Sequence, residues 1–212
     1  MRNDPRLGEI YQARLASLLK SDGRKILGIV GAPGSGKSYL ARALLAFLGK
    51  DAVAVPMDGY HLANVELARL GRSARKGAED TFDGAGFVTL LARIKNQTAN
   101  EIIYAPEFRR EIEEPIANAI PVFPETKLVI TEGNYLLLER GHWAGVRPML
   151  DEVWYVDVDD TLRRERLIKR YTRFGRTLEA ARAWVENTDE PNAVLIGETK
   201  AKADCIFRWE EA

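Results

Sequence analysis

Residues 31–38 read GAPGSGKS, and that octapeptide constrains the chain more than any other part of it. It fits G-x-x-x-x-G-K-[ST], a loop whose successive backbone N–H groups converge on a phosphate. Gly31, Gly34 and Gly36 allow the crowded or left-handed backbone that such a cradle needs. Before it, residues 26–30, ILGIV, are short, apolar and partly β-branched, the pattern of a strand buried on both faces. After it, Leu40, Leu44, Leu45 and Leu48 share one helical face and Gly49 supplies a stop. Strand, loop and helix in this order predict a nucleoside triphosphate site made by Gly31, Ala32, Pro33, Gly34, Ser35, Gly36, Lys37, Ser38 and Tyr39. Lys37 would reach the β- and γ-phosphates, the Ser38 hydroxyl would ligate Mg²⁺, and the helix start would add its positive dipole end.

Four more apolar runs follow the same logic. Residues 52–57 (AVAVPM), 128–131 (LVIT), 153–158 (VWYVDV) and 203–209 (ADCIFRW) read as strands, with helical stretches between them. That alternation predicts an α/β domain over 1–212, a five-stranded parallel sheet flanked by helices. The expected strand order is 2-3-1-4-5, counting these five along the chain. Leu7, Ile10, Tyr11, Leu15, Leu18 and Leu19 recur near a period of 3.6 and predict an N-terminal helix within residues 1–22. Arg24 and Lys25 then read as solvated charges at the edge of the first strand. Residues 71–83 are polar, glycine-punctuated and expected to be irregular. Within 101–123, Ile102, Ile103 and Tyr104 favour strand while Pro106, Pro115 and Pro121, with Pro124 just beyond, forbid long helices, which predicts a small hairpin beside the pocket. Thr177 is placed as the cap of a helix running to about Asn187, and Pro191 suits the first turn of another.

A phosphate loop states that a nucleotide binds, not what is done with it. Phosphoryl transfer needs a metal, a positioned acceptor and positive charge around the transferring group. Asp58 follows the second strand, at the sheet edge where open α/β folds bind ligands. There it either takes a proton from an acceptor hydroxyl or holds a metal-bound water. Glu132 ends the third core strand and suits Mg²⁺ or its water shell. Asn134 and Tyr135 are candidates for substrate contact; His61 could contact substrate too, although a lone histidine after a turn is more often structural or solvated. Seven basic residues crowd 163–176, of which Arg166, Arg170 and Arg173 fall at i, i+4 and i+7 on one helical face. With Gly175 as a hinge, residues 160–177 predict an arginine-rich lid that closes on the γ-phosphate.

Composition removes several other roles. Lys+Arg and Asp+Glu both number 31, so no overall field draws nucleic acid or an anionic membrane. The four tryptophans, at 143, 154, 184 and 209, are too scattered for a base-stacking platform and read as core and interface packing. No Cys/His grouping has zinc spacing. Cys205 is the single cysteine, so no internal disulfide forms, and no run approaches membrane-spanning length. A cytoplasmic setting is expected, with a small-molecule acceptor as partner and a homodimer allowed.

Taken together, GAPGSGKS, MDGYH at 57–61, RKGAEDTFD at 75–83, TEGNYLLL at 131–138, RERLIKRYTRFGRT at 164–177 and ENTDEPNA at 186–193 resemble one family. It is the P-loop kinases that include uridine kinase, pantothenate kinase and phosphoribulokinase, and within it bacterial nucleoside-kinase-like or fructose-transport-system kinase proteins. The resemblance implies ATP and Mg²⁺ as cofactors, Asp58 as catalytic base, Lys37 and Ser38 on phosphate and metal, and Glu132 near metal or acceptor. It also implies Arg166, Arg170 and Arg173 on the lid, with Tyr60, His61, Asp83, Arg110 and Asn187 lining or approaching the acceptor pocket. Residues 106–110 read PEFRR where relatives carry P-x-F-D-R, so their acceptor choice does not carry over.

The expected activity is transfer of the γ-phosphoryl of ATP to a hydroxyl of a small metabolite such as a sugar, nucleoside or pantothenate-like compound. The competing expectation is a nucleotide-sensing or assembly NTPase that uses ATP as a switch and has no small-molecule acceptor.

Overall fold

Strand β1 (Lys25–Val30) is buried at every position after Lys25, because it has a parallel neighbour on each side. The computed structural model describes residues 7–20 and 22–209. In it β2 (Ala52–Ala54), β5 (Leu128–Gly133), β1, β6 (Glu152–Val156) and β7 (Cys205–Phe207) form one parallel sheet in the order β2-β5-β1-β6-β7. Counted along the chain without the hairpin strands, that order is 2-3-1-4-5. β1 and β5 run in register from Lys25↔Leu128 to Val30↔Gly133, so the loop at residue 31 and the acidic end of β5 emerge side by side.

Successive β1 side chains point to opposite faces, and each face is covered. On one face Ile26 and Val30 pack with Phe87, Leu90, Leu91 and Ile94 of α4 (Gly84–Lys95), and with Trp143 and Leu150. On the other, Leu27 and Ile29 pack with Leu40 and Leu44 of α2 (Lys37–Leu48), Leu15 of α1 (Glu9–Leu18), Trp154 and Phe207. No helix among the described residues is long and apolar enough to cross a membrane.

The remaining strands, β3 (Ile103–Arg109) and β4 (Glu114–Val122), make the expected antiparallel hairpin, separate from the main sheet. It lies hard against the 3-10 turn Met57–Tyr60: a Cβ on Gly59 would come 2.4 Å from the Pro106 carbonyl oxygen. A side chain there would push the hairpin away, so glycine lets the two segments touch.

Several boundaries differ from the sequence expectation. The N-terminal helix is shorter than 1–22: α1 begins after Gly8, Ile10 points to solvent at 71% exposure, and residues 1–6 and 21 lie outside the described residues. Leu15 is the helix's buried residue, and the half-buried Tyr11 packs beside it, with ring centroids 4.4 Å from Phe207 and 5.7 Å from Trp154. Arg24 is no solvated edge charge. It is half-buried and donates to the carbonyls of Thr126 (2.9 Å), Ile94 (3.2 Å), Phe123 (2.6 Å) and Pro124 (3.0 Å). β2 ends at Ala54 instead of 57, since Pro56 has no N–H to continue a ladder, and Asp58 therefore sits in the 3-10 turn. β6 stops at Val156, two residues before the expected end. Beyond α5 (Asp160–Arg173), Thr177 caps α6 (Leu178–Trp184) through a 3.2 Å bond from the Ala180 N–H. The helix then runs through a π turn, Val185–Asp189, directly into α7 (Glu190–Gly197), where two separate helices were expected.

Candidate active site

The loop following β1 is held in shape by α5. Gly34 has φ +81°, and a Cβ there would lie 2.7 Å from the Arg163 carbonyl oxygen and 2.8 Å from Leu167 Cγ. Arg163 is 1% exposed; it pairs with Asp160 (3.0 Å) and Glu190 (2.5 Å) and reaches the Pro33 carbonyl at 3.4 Å. Buried guanidinium, satisfied on several sides, thus fixes the loop's outer backbone. Lys37 turns inward, donating to the carbonyls of Gly31 (2.9 Å) and Ala32 (3.2 Å). Burial pulls its pKa below the ordinary lysine range, against the opposing pull of Glu132 and Asp58.

Two carboxylates converge beside it. The Ser38 hydroxyl donates to Glu132 Oε1 at 2.6 Å. Asp58 Oδ2 receives Arg110 Nη2 at 3.3 Å, and its backbone carbonyl lies 2.8 Å from His61 Nδ1. Burial, helped by the Asp58 charge, raises the Glu132 pKa above the usual glutamate range. Burial also works to raise Asp58, but the positive field of His61, Arg110, Lys37 and Arg170 overcomes it and holds Asp58 below the usual range. His61 is itself kept low by burial between Phe82 and Phe108, with ring centroids 4.0 and 4.6 Å away.

These oxygen donors suit a hard cation. Among the described residues no group of three or more His, Cys, Asp or Glu is arranged to hold a metal. Mg²⁺ characteristically takes one or two carboxylates and completes its shell with phosphate oxygens and water. The pair Ser38–Glu132, beside the buried lysine, fits that pattern.

A cavity of about 650 Å³ joins the two halves. Of the residues expected at the site, it brings together Pro33, Gly34, Gly36, Lys37, Ser38, Tyr39, Asp58, His61, Arg110, Glu132, Asn134, Arg166 and Arg170. Arg166 stands over the loop, its Nη1 3.8 Å from where a Gly36 Cβ would be. Ala32 and Ser35 face a smaller cavity behind the loop, about 370 Å³, and Gly31 contributes its carbonyl to Lys37.

Five expected residues lie elsewhere. Tyr60 turns to the core, 5.5 Å from the Phe87 ring, with its hydroxyl pKa pushed up to about 12 by burial. Asp83 is exposed and caps α4, accepting from the Gly86 N–H at 2.8 Å. Tyr135 is fully buried and donates to the Gly77 carbonyl at 2.5 Å, tying down the 71–83 loop. Asn187 bonds back to the Ala183 carbonyl at 2.7 Å on the outer side of its turn. Arg173 is exposed in the last turn of α5, beyond the cavity rim, where a cation complements the helix dipole.

Others went unnoticed. Arg42 lines the cavity one helical turn after Ser38, a spacing that the sequence displays. Lys76 lines it too, donating to Asn64 Oδ1 at 2.7 Å and to the Glu113 carbonyl, with its ammonium 5.1 Å above the Phe108 ring. Trp184, expected as packing, lines the cavity with Asp189 and Asn192, all three near or within ENTDEPNA.

No family model matches the chain. A putative uridine kinase of Schizosaccharomyces pombe is 35% identical over 211 residues, covering 94% of this chain and 89% of that protein. The crystal structure of a putative fructose transport system kinase from Silicibacter sp. TM1040 superposes with a TM-score of 0.84 at 36% identity, covering 93% of this chain and 97% of the other. YFH7 of Saccharomyces cerevisiae, a putative P-loop kinase, shares the fold at TM-score 0.77 and 18% identity, covering 97% of this chain and all of that one.

Proposed function

The chain belongs to the family of P-loop kinases that includes uridine kinase and pantothenate kinase, and from this premise we propose that it moves the γ-phosphoryl of ATP to a hydroxyl of a small metabolite. One observation carries the reading: Asp58, paired with Arg110 at 3.3 Å, shares a cavity with Lys37, Ser38 and Glu132.

Magnesium-bound ATP supplies the phosphoryl group and the cation that offsets its charge. Lys37 and the backbone N–H groups of residues 34–38 grip the phosphate oxygens, while Ser38 and Glu132 serve the metal side. Asp58 accepts a hydrogen bond from the acceptor hydroxyl and takes its proton as the bond to phosphorus forms. Arg166 and Arg170 add charge-assisted bonds to the transferring group. Closure of the 160–177 segment would exclude water, pivoting about the fixed contacts of Arg163 and Leu167 with the loop.

His61, Phe108, Arg110 and Asn134 make the acceptor end part aromatic and part polar, which supports a polyol-like molecule such as a sugar, nucleoside or pantothenate-like compound. The test is ADP release from ATP and Mg²⁺ across a panel of these compounds. An acceptor that stimulates ADP release and gains phosphate supports the proposal. Acceptor-independent hydrolysis across the whole panel would contradict it.

A further inference from the structure

The motif ENTDEPNA contributes to the cavity through a residue to which the kinase reading gives no task. Asp189 is 6% exposed, lines the cavity, and closes the π turn between α6 and α7. Such widened turns recur at functional sites because they redirect a side chain that a regular helix would point elsewhere. Its Oδ2 accepts the Tyr171 hydroxyl at 2.9 Å.

The Tyr171 ring in turn has an arginine near each of two positions: Arg170 Cζ lies 5.2 Å and Arg176 Cζ 5.3 Å from its centroid. Arg170 Nη2 also approaches the Tyr171 oxygen at 3.5 Å, and Arg176 stacks on Trp184 at 4.0 Å. Both arginines line the cavity. Arg163 is paired with Asp160 and Glu190, and Arg164 with Glu190, whereas among the described residues no carboxylate forms an ion pair with Arg170 or Arg176. Aromatic faces hold guanidiniums without consuming their N–H donors, so Arg176 keeps its donors for phosphate oxygens, and Arg170 all but the one turned to the Tyr171 oxygen.

We propose that Asp189 is a positioning residue: it fixes the Tyr171 hydroxyl, and the fixed ring presents Arg170 and Arg176 as a pair to the terminal phosphate of the nucleotide. The inference rests on the nucleotide reading of the cavity but needs no acceptor. Arg170 is close enough to Lys37 and Asp58 for its charge to act on both, which puts it at the phosphate end.

The test is calorimetric titration of the full chain with Mg·ATP and, separately, Mg·ADP. Wild type is compared with Tyr171→Phe, Tyr171→Leu, Asp189→Asn and Asp189→Ala, each checked by thermal melting. Tyr171→Leu and Asp189→Ala are expected to weaken ATP about tenfold, the loss of one charge-assisted contact, while ADP changes less than about twofold. Tyr171→Phe, which keeps the ring, and Asp189→Asn, which keeps an acceptor for the hydroxyl, should fall between these and wild type. Equal weakening of ATP and ADP in folded variants would reduce Asp189 to packing and overturn the proposal, as would unchanged ATP binding in all four. Tyr171→Phe keeps the test decisive if the larger truncations do not fold. Wild type that fails to bind Mg·ATP would instead overturn the nucleotide reading itself, and this inference with it.

Discussion

Ser38 and Glu132 come from the helix after the phosphate loop and from the end of the neighbouring strand, and they meet in a 2.6 Å hydroxyl-to-carboxylate bond. The in-register pairing of β1 with β5 brings the two segments together, since Ile29 sits opposite Glu132 two residues before the loop begins at Gly31. If the pair serves a metal, Glu132→Gln should raise the Mg²⁺ concentration for half-maximal ATP turnover about ten- to hundredfold. A Mg²⁺ titration at fixed ATP reads this directly. An unchanged requirement would remove Glu132 from the metal side.

Gly34→Ala should destabilise the chain by at least about 1–2 kcal/mol, the cost of a left-handed alanine, before the clash with the Arg163 carbonyl is counted. Thermal melting measures the stability change, and ATP titration should show weakened binding because the cradle shifts. Wild-type melting and affinity would contradict the description of the loop as clamped by α5.

Arg110→Ala removes one of the charges that hold Asp58 below the usual carboxylate range. The Asp58 pKa should then rise, so the acid limb of kcat/KM moves to higher pH. The direction is fixed by the sign of the lost charge: a carboxylate stripped of a cation binds its proton more tightly. A pH profile that stays in place would show that Arg110 does not set the base.

Asp189 is raised to about 6, principally by burial. In the unfolded chain it titrates near the ordinary aspartate value of 3.8, so between about pH 4 and 6 the folded state binds more protons and stability falls as pH rises. Above about pH 6 the full cost of a buried charge is present. Asp189→Asn should accordingly melt higher than wild type at pH 7.5, by up to about 3 kcal/mol of stability, with the gap closing toward pH 4. Greater stability together with weaker ATP-over-ADP preference is the signature of a residue kept for function. A destabilised Asp189→Asn at pH 7.5 would contradict the buried-charge description.

The donor half of the site was legible because its information is local. One octapeptide, with an apolar strand before it and a leucine face after it, determines the loop, the position of Lys37 and the start of α2. Strand alternation with helices likewise foretold the sheet, and Thr177 its cap. Side-chain direction was not legible where the chain makes a tight or widened turn. Asp58 and Tyr60 share one 3-10 turn, yet one faces the cavity and the other Phe87. Asn187 and Asp189 share one π turn, and only Asp189 points inward. Asp83 and Tyr135 lie in family-like stretches but serve a helix cap and a loop tether. Motif proximity places a backbone near a site; the turn decides which side chain enters it.

The central claim, that Asp58 serves transfer to a bound hydroxyl, is tested most directly by following labelled γ-phosphate from ATP into the acceptor panel with wild type and Asp58→Asn. Loss of the general base should lower kcat for transfer by about 10²–10⁴-fold while Mg·ATP affinity stays near wild type. Asp58→Asn protein that transfers phosphate at the wild-type rate would contradict the account.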